Sequence, residues 1–229
     1  MVTPVPQSGT SAQNDTLSVK QQRAAQRAKK LEEYHRQQKR SARNRRIGFI
    51  AGGAAIIAVV AVVVTSVVLA PQKPDYSAKG AVGSIAGVET FANKALHVTT
   101  KVTYPQTPPA GGEHNAVWLN CGVYSQPVPN ENAVHSLEHG AIWVTYDPSL
   151  PKADVDALRA LLPSTYAILS PYKGLPSPIV LSGWNVQLQL ESATDKRIPK
   201  FFKKYWQGGS APEIGSPCTG ALDAPGKVS

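Results

Sequence analysis

The chain contains very little cysteine: only Cys121 and Cys218 occur among its 229 residues. Two thiols exclude a dense disulfide framework and a four-cysteine zinc ribbon, and the lack of a CxxC motif gives no support to thioredoxin-like exchange. The phosphate-binding patterns GxxxxGK[ST] and GxGxxG are absent, and so is the GxSxG pattern of serine hydrolases. The usual signals for nucleotide binding and serine hydrolysis are therefore missing.

Most of the chain also has no excess of positive over negative charge. Residues 1–46 contain 11 Lys/Arg and 3 Asp/Glu, whereas residues 71–229 contain 13 and 12. The formal net charge of +9 thus comes almost entirely from the first segment. No stacking aromatic residues or recognition motif accompany this basic segment, so we expect no binding of nucleic acid.

One long uncharged run is present, over residues 47–70. A helix of 24 residues spans about 36 Å, which exceeds the roughly 30 Å of a hydrocarbon core. The run is too long for a signal peptide and 46 residues precede it, so we predict an uncleaved transmembrane helix. The basic residues of segment 20–46 far outnumber Lys73 and Lys79 on the other side, which predicts a cytoplasmic N-terminus and an extracytoplasmic C-terminal region at the cell membrane.

Composition divides the chain into four parts. The expected parts are a basic cytoplasmic tail (1–46, disordered over 1–17 and then helical), the single transmembrane helix (47–70), a linker (71–92) and a compact extracytoplasmic domain (93–229). Besides the membrane itself, we expect the basic tail to contact anionic lipid headgroups, at roughly 1 kcal/mol for each Lys or Arg near the surface.

Hydrophobic patterning predicts both strands and helices in the outer domain. Strand-like segments are expected at 96–104, 116–124, 141–146, 166–169 and 179–190, and helices at 130–139, after Pro148, and at 197–207. Because these elements do not alternate as regular βαβ units, the predicted fold class is α+β.

Four of the five histidines follow the apolar run, and two of them lie in the sequence HSLEHG, residues 135–140. In a helix, His135 and His139 are one turn apart and share a face with Glu138. Such a histidine pair can clamp a metal ion. The same residues fit the HxxEH pattern of inverted zinc peptidases, in which Glu138 would be the catalytic base. Glu213, a downstream third ligand in that interpretation, lies in a Gly-, Ser- and Pro-rich stretch with no helix to present it.

Three segments resemble a known family: TYPQTPPAGGEH (103–114), NCGVY (120–124) and VHSLEHGAIWVTYDP (134–148). They are similar to single-pass bacterial envelope proteins that are classed as a domain of unknown function. The resemblance covers roughly residues 80–215. HSLEHG matches fully, whereas Ala110, Gly111 and Glu113 replace the usual Thr, Ser and Pro. The resemblance implies the domain boundary and the membrane topology, and it implies no activity.

The loop motif before His114 and the HSLEHG motif together suggest one site. Two prolines would stiffen the loop before His114, and Gly111 and Gly112 would let it turn, so that His114 lies beside the histidines of HSLEHG. The predicted ligands suit Zn or Cu, with water or His97 completing the set, and they are His114, His135, His139 and Glu138. Three alternatives stay open: a purely structural hydrogen-bonded cluster, a zinc-dependent hydrolase that uses Glu138, and an interaction protein of the cell envelope.

Cys121 and Cys218 both fall in the region expected outside the cytoplasm, where disulfides persist. A bond between them would close a loop of 97 residues and contribute about 4–5 kcal/mol in the chain-entropy model. We predict this disulfide, with free thiols or a metal-ligating Cys121 as the alternatives.

Overall fold

The computed structural model describes residues 19–69, 73–77 and 82–228. The disorder expected for residues 1–17 lies outside the described residues, as does part of the expected linker. The chain divides into two compact units, Met1–Pro71 and Gln72–Ser229.

The first unit is built on one helix, α1, which runs unbroken over Val19–Val68. It joins the basic and the apolar segments, which were expected as separate helices. Among the described residues, α1 is the one helix long and apolar enough to cross a membrane, judged by its length and composition. Its apolar side chains are exposed, with Ile50 at 73% and Ile57 at 71%.

The second unit contains strands and three helices, which confirms the α+β class. The elements are β1 (Val88–Thr90), β2 (Leu96–His97), β3 (Glu113–His114), β4 (Gly122–Val123), α2 (Asn130–Glu138), β5 (Ile142–Tyr146), α3 (Lys152–Leu161), β6 (Ala167–Pro171), β7 (Ile179–Gly183), β8 (Val186–Leu190) and α4 (Arg197–Tyr205). Six strands form one sheet in the order β1-β8-β7-β5-β6-β4, and β2 and β3 form a separate parallel pair.

The six-stranded sheet is mixed. The pairs β1–β8, β8–β7 and β7–β5 are antiparallel, whereas β6 is parallel to both β5 and β4. The parallel pairing of β5 with β6 requires a crossover connection, which α3 supplies. The sheet therefore combines an antiparallel half with a parallel half.

Alternating side chains of β5 face two hydrophobic cores. Val144 packs in one core with the buried aromatic residues of α4, Phe201 and Phe202. Trp143 points into the other core together with Leu137 of α2. The sheet thus lies between α2 on one face and α3 and α4 on the other, and the aromatic stripe of α4 serves packing, as its spacing indicates.

Two expected strands are much shorter in the structure, because their backbone groups bond elsewhere. Only β2 forms within 96–104, and the backbone N–H of Val102 donates to the Glu131 side chain at 3.1 Å. Only β4 forms within 116–124, because the N–H groups of Asn120 and Cys121 donate to residues of the C-terminal segment. The predicted alternation therefore marks extended chain rather than sheet.

The second unit also begins earlier than residue 93. β1 lies within the stretch expected to be a linker, and it pairs with β8. Further upstream, Tyr76 stacks on Phe202 with ring centroids 5.0 Å apart, and its hydroxyl donates to the carbonyl of Leu161 at 3.0 Å. Part of the expected linker is thus a component of the core.

This packing predicts the effect of truncating Tyr76. Tyr76→Ala should lower the free energy of unfolding by about 2–4 kcal/mol, because it empties a buried site next to Phe202. Thermal unfolding of the full chain in detergent measures this, with the exposed Lys73→Ala as control. Equal stability of the two variants would mean that residues 73–77 are only a tether.

Candidate histidine–glutamate metal site

The helix α2 presents the histidines of HSLEHG. It ends at Glu138 with two characteristic hydrogen bonds, from the N–H of Gly140 to the carbonyl of Leu137 and from that of Ala141 to the carbonyl of Ser136, both 3.0 Å long. These are the bonds of a Schellman motif, whose left-handed position Gly140 occupies with φ +94°. The helical spacing of His135 and the capping residue His139, and the stop at Gly140, are confirmed.

The parallel pair β2–β3 brings two more histidines together. Its register places His97 directly beside His114. Gly111 and Gly112 precede β3 with φ values of +126° and +114°, so the tight turn expected from the two glycines is present. The N–H of Asn185 donates to the carbonyl of Ala110 at 2.7 Å, which holds this loop on the β7–β8 hairpin.

A four-residue cluster results, formed by His97, His114, His135 and Glu138, whose ligand atoms all lie within 4.8 Å of one another. Nε2 of His114 is 2.8 Å from Oε2 of Glu138, and Nε2 of His97 is 3.7 Å from the same oxygen. His114, His135 and Glu138 are buried, whereas the side chain of His97 is 48% exposed. We call this the inner cluster.

A second group shares His135 with the inner cluster. It consists of His135, His139 and Glu213, again with ligand atoms within 4.8 Å of one another. Nε2 of His139 is 3.5 Å from Oε2 of Glu213, and the rings of His135 and His139 are 4.5 Å apart between centroids. We call it the outer cluster; its Glu213 side chain is 48% exposed, as is that of His97 in the inner cluster.

Three of the histidines are oriented in the same way. Nδ1 of His114, His135 and His139 lies 2.7 Å from the backbone carbonyls of Gly112, Asn115 and Pro217, respectively. A carbonyl only accepts hydrogen bonds, so each Nδ1 carries a proton and each neutral ring has its lone pair on Nε2. Metal-ligating histidines are fixed in this way, with one nitrogen donating to the protein and the other free to coordinate.

The charge state of His135 also indicates that its Nε2 is free to coordinate a metal ion. Burial, together with the nearby rings of His139, His114 and His97, lowers its pKa to about 4, against the opposing effect of its bond to the Asn115 carbonyl. At neutral pH the ring is uncharged, and its Nε2 lone pair is available to a cation.

Trp118 lies over both clusters. Its ring centroid is 5.8 Å from that of His135 and 5.3 Å from that of His139. Its Nε1 is buried and has no hydrogen-bond partner among the residues that the structure describes. An indole N–H is only a donor, so it can serve an acceptor bound beside these two rings.

The structure brings most of the predicted ligands together and separates one. His114, His135 and Glu138 meet in the inner cluster, with His97 as the fourth member. His139 lies in the outer cluster instead, so the four ligands predicted from the sequence do not form one set. Glu213 reaches His139 without a helix, because its N–H donates to the carbonyl of Glu138 at 3.0 Å. The HxxEH pattern offered Glu213 as a third ligand, although nothing in its surroundings predicted the contact with His139, and Trp118 has no sequence signal of its own.

The structure contains the expected disulfide between Cys121 and Cys218, with Cα atoms 5.4 Å apart. Neither cysteine is therefore a free thiol. The bond ties the segment that supplies Glu213 and the Pro217 carbonyl to the chain before β4.

Fold and site together define an α+β domain with a buried histidine–glutamate cluster. Residues 97–220 match the model of a family described as a protein of unknown function (DUF3105). This match covers more than half of the chain, and the chain belongs to that family. No curated protein and no solved structure matches it. The matched residues contain all members of both clusters.

The segment that follows His97 is bonded to Glu131, a buried residue of α2. Its carboxylate accepts hydrogen bonds from the N–H of Val102 and from Nζ of Lys101, just after His97. Burial raises the pKa of Glu131, but hydrogen bonds from its own backbone N–H and that of Val102, together with Lys101, outweigh this and place the pKa below its ordinary value of 4.5. The ionised form is therefore the one that stabilises the fold.

Glu131→Ala should lower the free energy of unfolding by about 1–3 kcal/mol, because it leaves the Val102 N–H without its acceptor. A group with a lowered pKa stabilises above its ordinary pKa and loses that effect as the pH falls. The difference between wild type and variant should therefore be full above pH 4.5 and shrink below it. Thermal unfolding against pH measures this.

Lys101→Ala is the matched control, since the Lys101 side chain is 89% exposed and its ion pair contributes about 0–1 kcal/mol. A difference between wild type and Glu131→Ala that does not change with pH would contradict the role of the carboxylate.

Proposed function

We propose that the protein is a membrane-anchored metal-binding module, whose C-terminal domain holds a divalent transition-metal ion in the inner cluster. The observation that carries this proposal is the set of Nδ1–H bonds from His114 and His135 to backbone carbonyls, which leaves each Nε2 free within a cluster that contains a buried carboxylate. The ligands of this ion are His97, His114, His135 and Glu138.

The contact between His114 and Glu138 supports a cation here. Nδ1 of His114 already donates to Gly112, so a neutral ring turns a lone pair toward a carboxylate oxygen 2.8 Å away. Two acceptors at this distance require a proton or a metal ion between them. Two further imidazoles lie within 4.8 Å, a ligand set suited to a metal.

The ligand chemistry selects the class of ion. Three imidazoles with one carboxylate suit Zn²⁺ or Cu²⁺ rather than Mg²⁺ or Ca²⁺. Tetrahedral bonds of about 2.1 Å place ligand atoms about 3.4 Å apart, so a cluster whose ligand atoms lie within 4.8 Å of one another must contract by up to about 1.4 Å. His97 is the half-exposed ligand on a two-residue strand, and its movement provides this contraction.

Metal binding is favoured over the hydrolase alternative by the position of Glu138. A general base must contact the attacking water. Glu138 is only 3% exposed and lies against His114 and His97, which suits a ligand better than a base. If the histidines only stabilise the fold of an envelope interaction protein, no metal should bind in stoichiometric amount. Metal binding therefore distinguishes our proposal from that alternative.

We further propose that α1 anchors the protein in the cell membrane, with the basic residues in the cytoplasm and the metal-binding domain outside. The exposed apolar surface of α1 after residue 46 needs a non-aqueous environment, and the positive charge precedes it. The disulfide supports an oxidising compartment for the second unit. The basic part of α1 would then lie near anionic lipid headgroups.

Metal binding is tested on the full chain, made without a His tag, stripped with a chelator and kept in detergent. Titration calorimetry should show tight binding of Zn²⁺ or Cu²⁺, and His97→Ala should weaken it by at least about tenfold. Saturation at 100 times the dissociation constant should stabilise the fold by about 2.7 kcal/mol.

His35→Ala is the matched control, because His35 is an exposed histidine of α1 outside both clusters. His97 is half exposed, so its truncation should leave the fold intact, and His114→Ala serves as the buried comparison. Failure of the wild-type chain to bind either metal, or wild-type affinity in His97→Ala and His114→Ala, would rule out the inner cluster as the site.

The orientation is tested with a reporter fused after Ser229. A reporter that works only outside the cytoplasm should be active, and replacing the Arg residues 43, 45 and 46 with Glu should reduce that activity, because it weakens the positive charge next to the apolar run. The same three replacements by Lys keep the charge and serve as control. A fusion active only in the cytoplasm would reverse the proposed topology.

A further inference from the structure

We propose that the outer cluster is a second metal position, so that the domain can hold two ions side by side. The second ion would be bound by His135, His139 and Glu213. This inference rests on the proposed function, because the two clusters share His135. It goes beyond the proposed function because it adds a second ligand set, made of two buried histidines and one half-exposed glutamate.

The donor atoms of the outer cluster are arranged for coordination. Nδ1 of His139 donates to the Pro217 carbonyl at 2.7 Å, which directs the Nε2 lone pair to Glu213 at 3.5 Å. His139 is 2% exposed, and a carboxylate that faces this lone pair gains little without a cation between them. Two imidazoles and one glutamate are a known zinc ligand set that leaves a position for solvent.

Glu213 is fixed although its sequence surroundings are rich in Gly, Ser and Pro. Its N–H donates to the Glu138 carbonyl, and the hydroxyl of Tyr166 donates to the carbonyl of Ser216 at 2.9 Å. Beyond these bonds, the disulfide at Cys218 ties the segment to Cys121. The third ligand is therefore held next to α2 before any ion arrives.

His135 can serve only one ion at a time, because its Nδ1 is engaged by the Asn115 carbonyl. Its ring centroid is 5.0 Å from that of His114, 4.9 Å from that of His97 and 4.5 Å from that of His139. With two ions bound, His135 joins the outer ion and each ion has three protein ligands. The inner ion then keeps His97, His114 and Glu138.

Trp118 adds an independent observation. Three protein ligands leave open positions that solvent or a small anion fills. The indole N–H, which has no partner among the described residues, lies beside the rings of His135 and His139 and can donate to such a ligand. Binding of the second ion takes His135 away from the inner ion, so the second equivalent is the more weakly held of the two.

The test is Zn²⁺ stoichiometry on the untagged full chain in detergent, by calorimetry and elemental analysis after dialysis. Wild type should bind two equivalents, the second more weakly. Glu213→Gln and His139→Gln should each weaken the second equivalent by at least about tenfold and leave the first in place. Glu191→Gln, which alters an exposed glutamate outside both clusters, should retain both equivalents.

A second readout uses Cu²⁺, whose unpaired electrons interact magnetically when two ions are neighbours. Electron paramagnetic resonance should show this interaction at two equivalents in wild type and lose it in Glu213→Gln. A free-thiol count and circular dichroism confirm that each variant keeps the disulfide and the fold.

The outcomes separate the two proposals. One equivalent in wild type, unchanged in Glu213→Gln, overturns the second position and leaves the inner site standing. Two equivalents that persist in both Glu213→Gln and His139→Gln show that the second ion binds elsewhere. No bound metal in wild type overturns the proposed function itself.

Discussion

The site depends on one repeated interaction, the hydrogen bond from a histidine Nδ1 to a backbone carbonyl. It occurs at His114, His135 and His139, each time at 2.7 Å. Because the acceptors are backbone atoms of ordered segments, the ring orientations follow from the fold rather than from the solvent. Each bond leaves Nε2 as the reactive nitrogen. Loss of any one of these bonds would free a ring to rotate and would return its lone pair to water.

The carbonyls come from three separate places in the chain, and this is why the whole domain is needed. Gly112 lies in the loop that docks on the β7–β8 hairpin, and Asn115 follows β3. Pro217 lies in the C-terminal segment that the disulfide secures. The helix α2, packed through Leu137 on the core side of the sheet, is the element against which these three segments converge. The six-stranded sheet carries none of the proposed ligands and supports the segments that do.

Local patterns predicted the parts of the site that are close in sequence. The spacing of His135 and His139 in a short helix that stops at Gly140, and the turn at Gly111 and Gly112, follow from helix and turn chemistry alone. The class of the fold was likewise predictable from hydrophobic patterns. The HxxEH pattern offered Glu213 as a third ligand, but its contact with His139 was not predictable, because it arises from backbone hydrogen bonds between segments about 75 residues apart, and no periodicity reports such contacts. The strand predicted over 96–104 was too long for a similar reason. The N–H of Val102 donates to a side chain, and a strand pattern does not show such a bond.

The strongest competing account is a cluster held by protons alone, in which His114 is charged and pairs with Glu138. That account explains one contact, the 2.8 Å distance between Nε2 and Oε2. It does not explain why His135, whose low pKa keeps it neutral, also has a ligand atom within 4.8 Å of that of Glu138, or why the His97 ring stacks on the His135 ring. Acceptors gathered around a buried anion repel one another unless a cation is shared among them, and their number exceeds what a single proton can satisfy. A metal ion accepts several lone pairs at once, and for that reason the arrangement of the four side chains favours it.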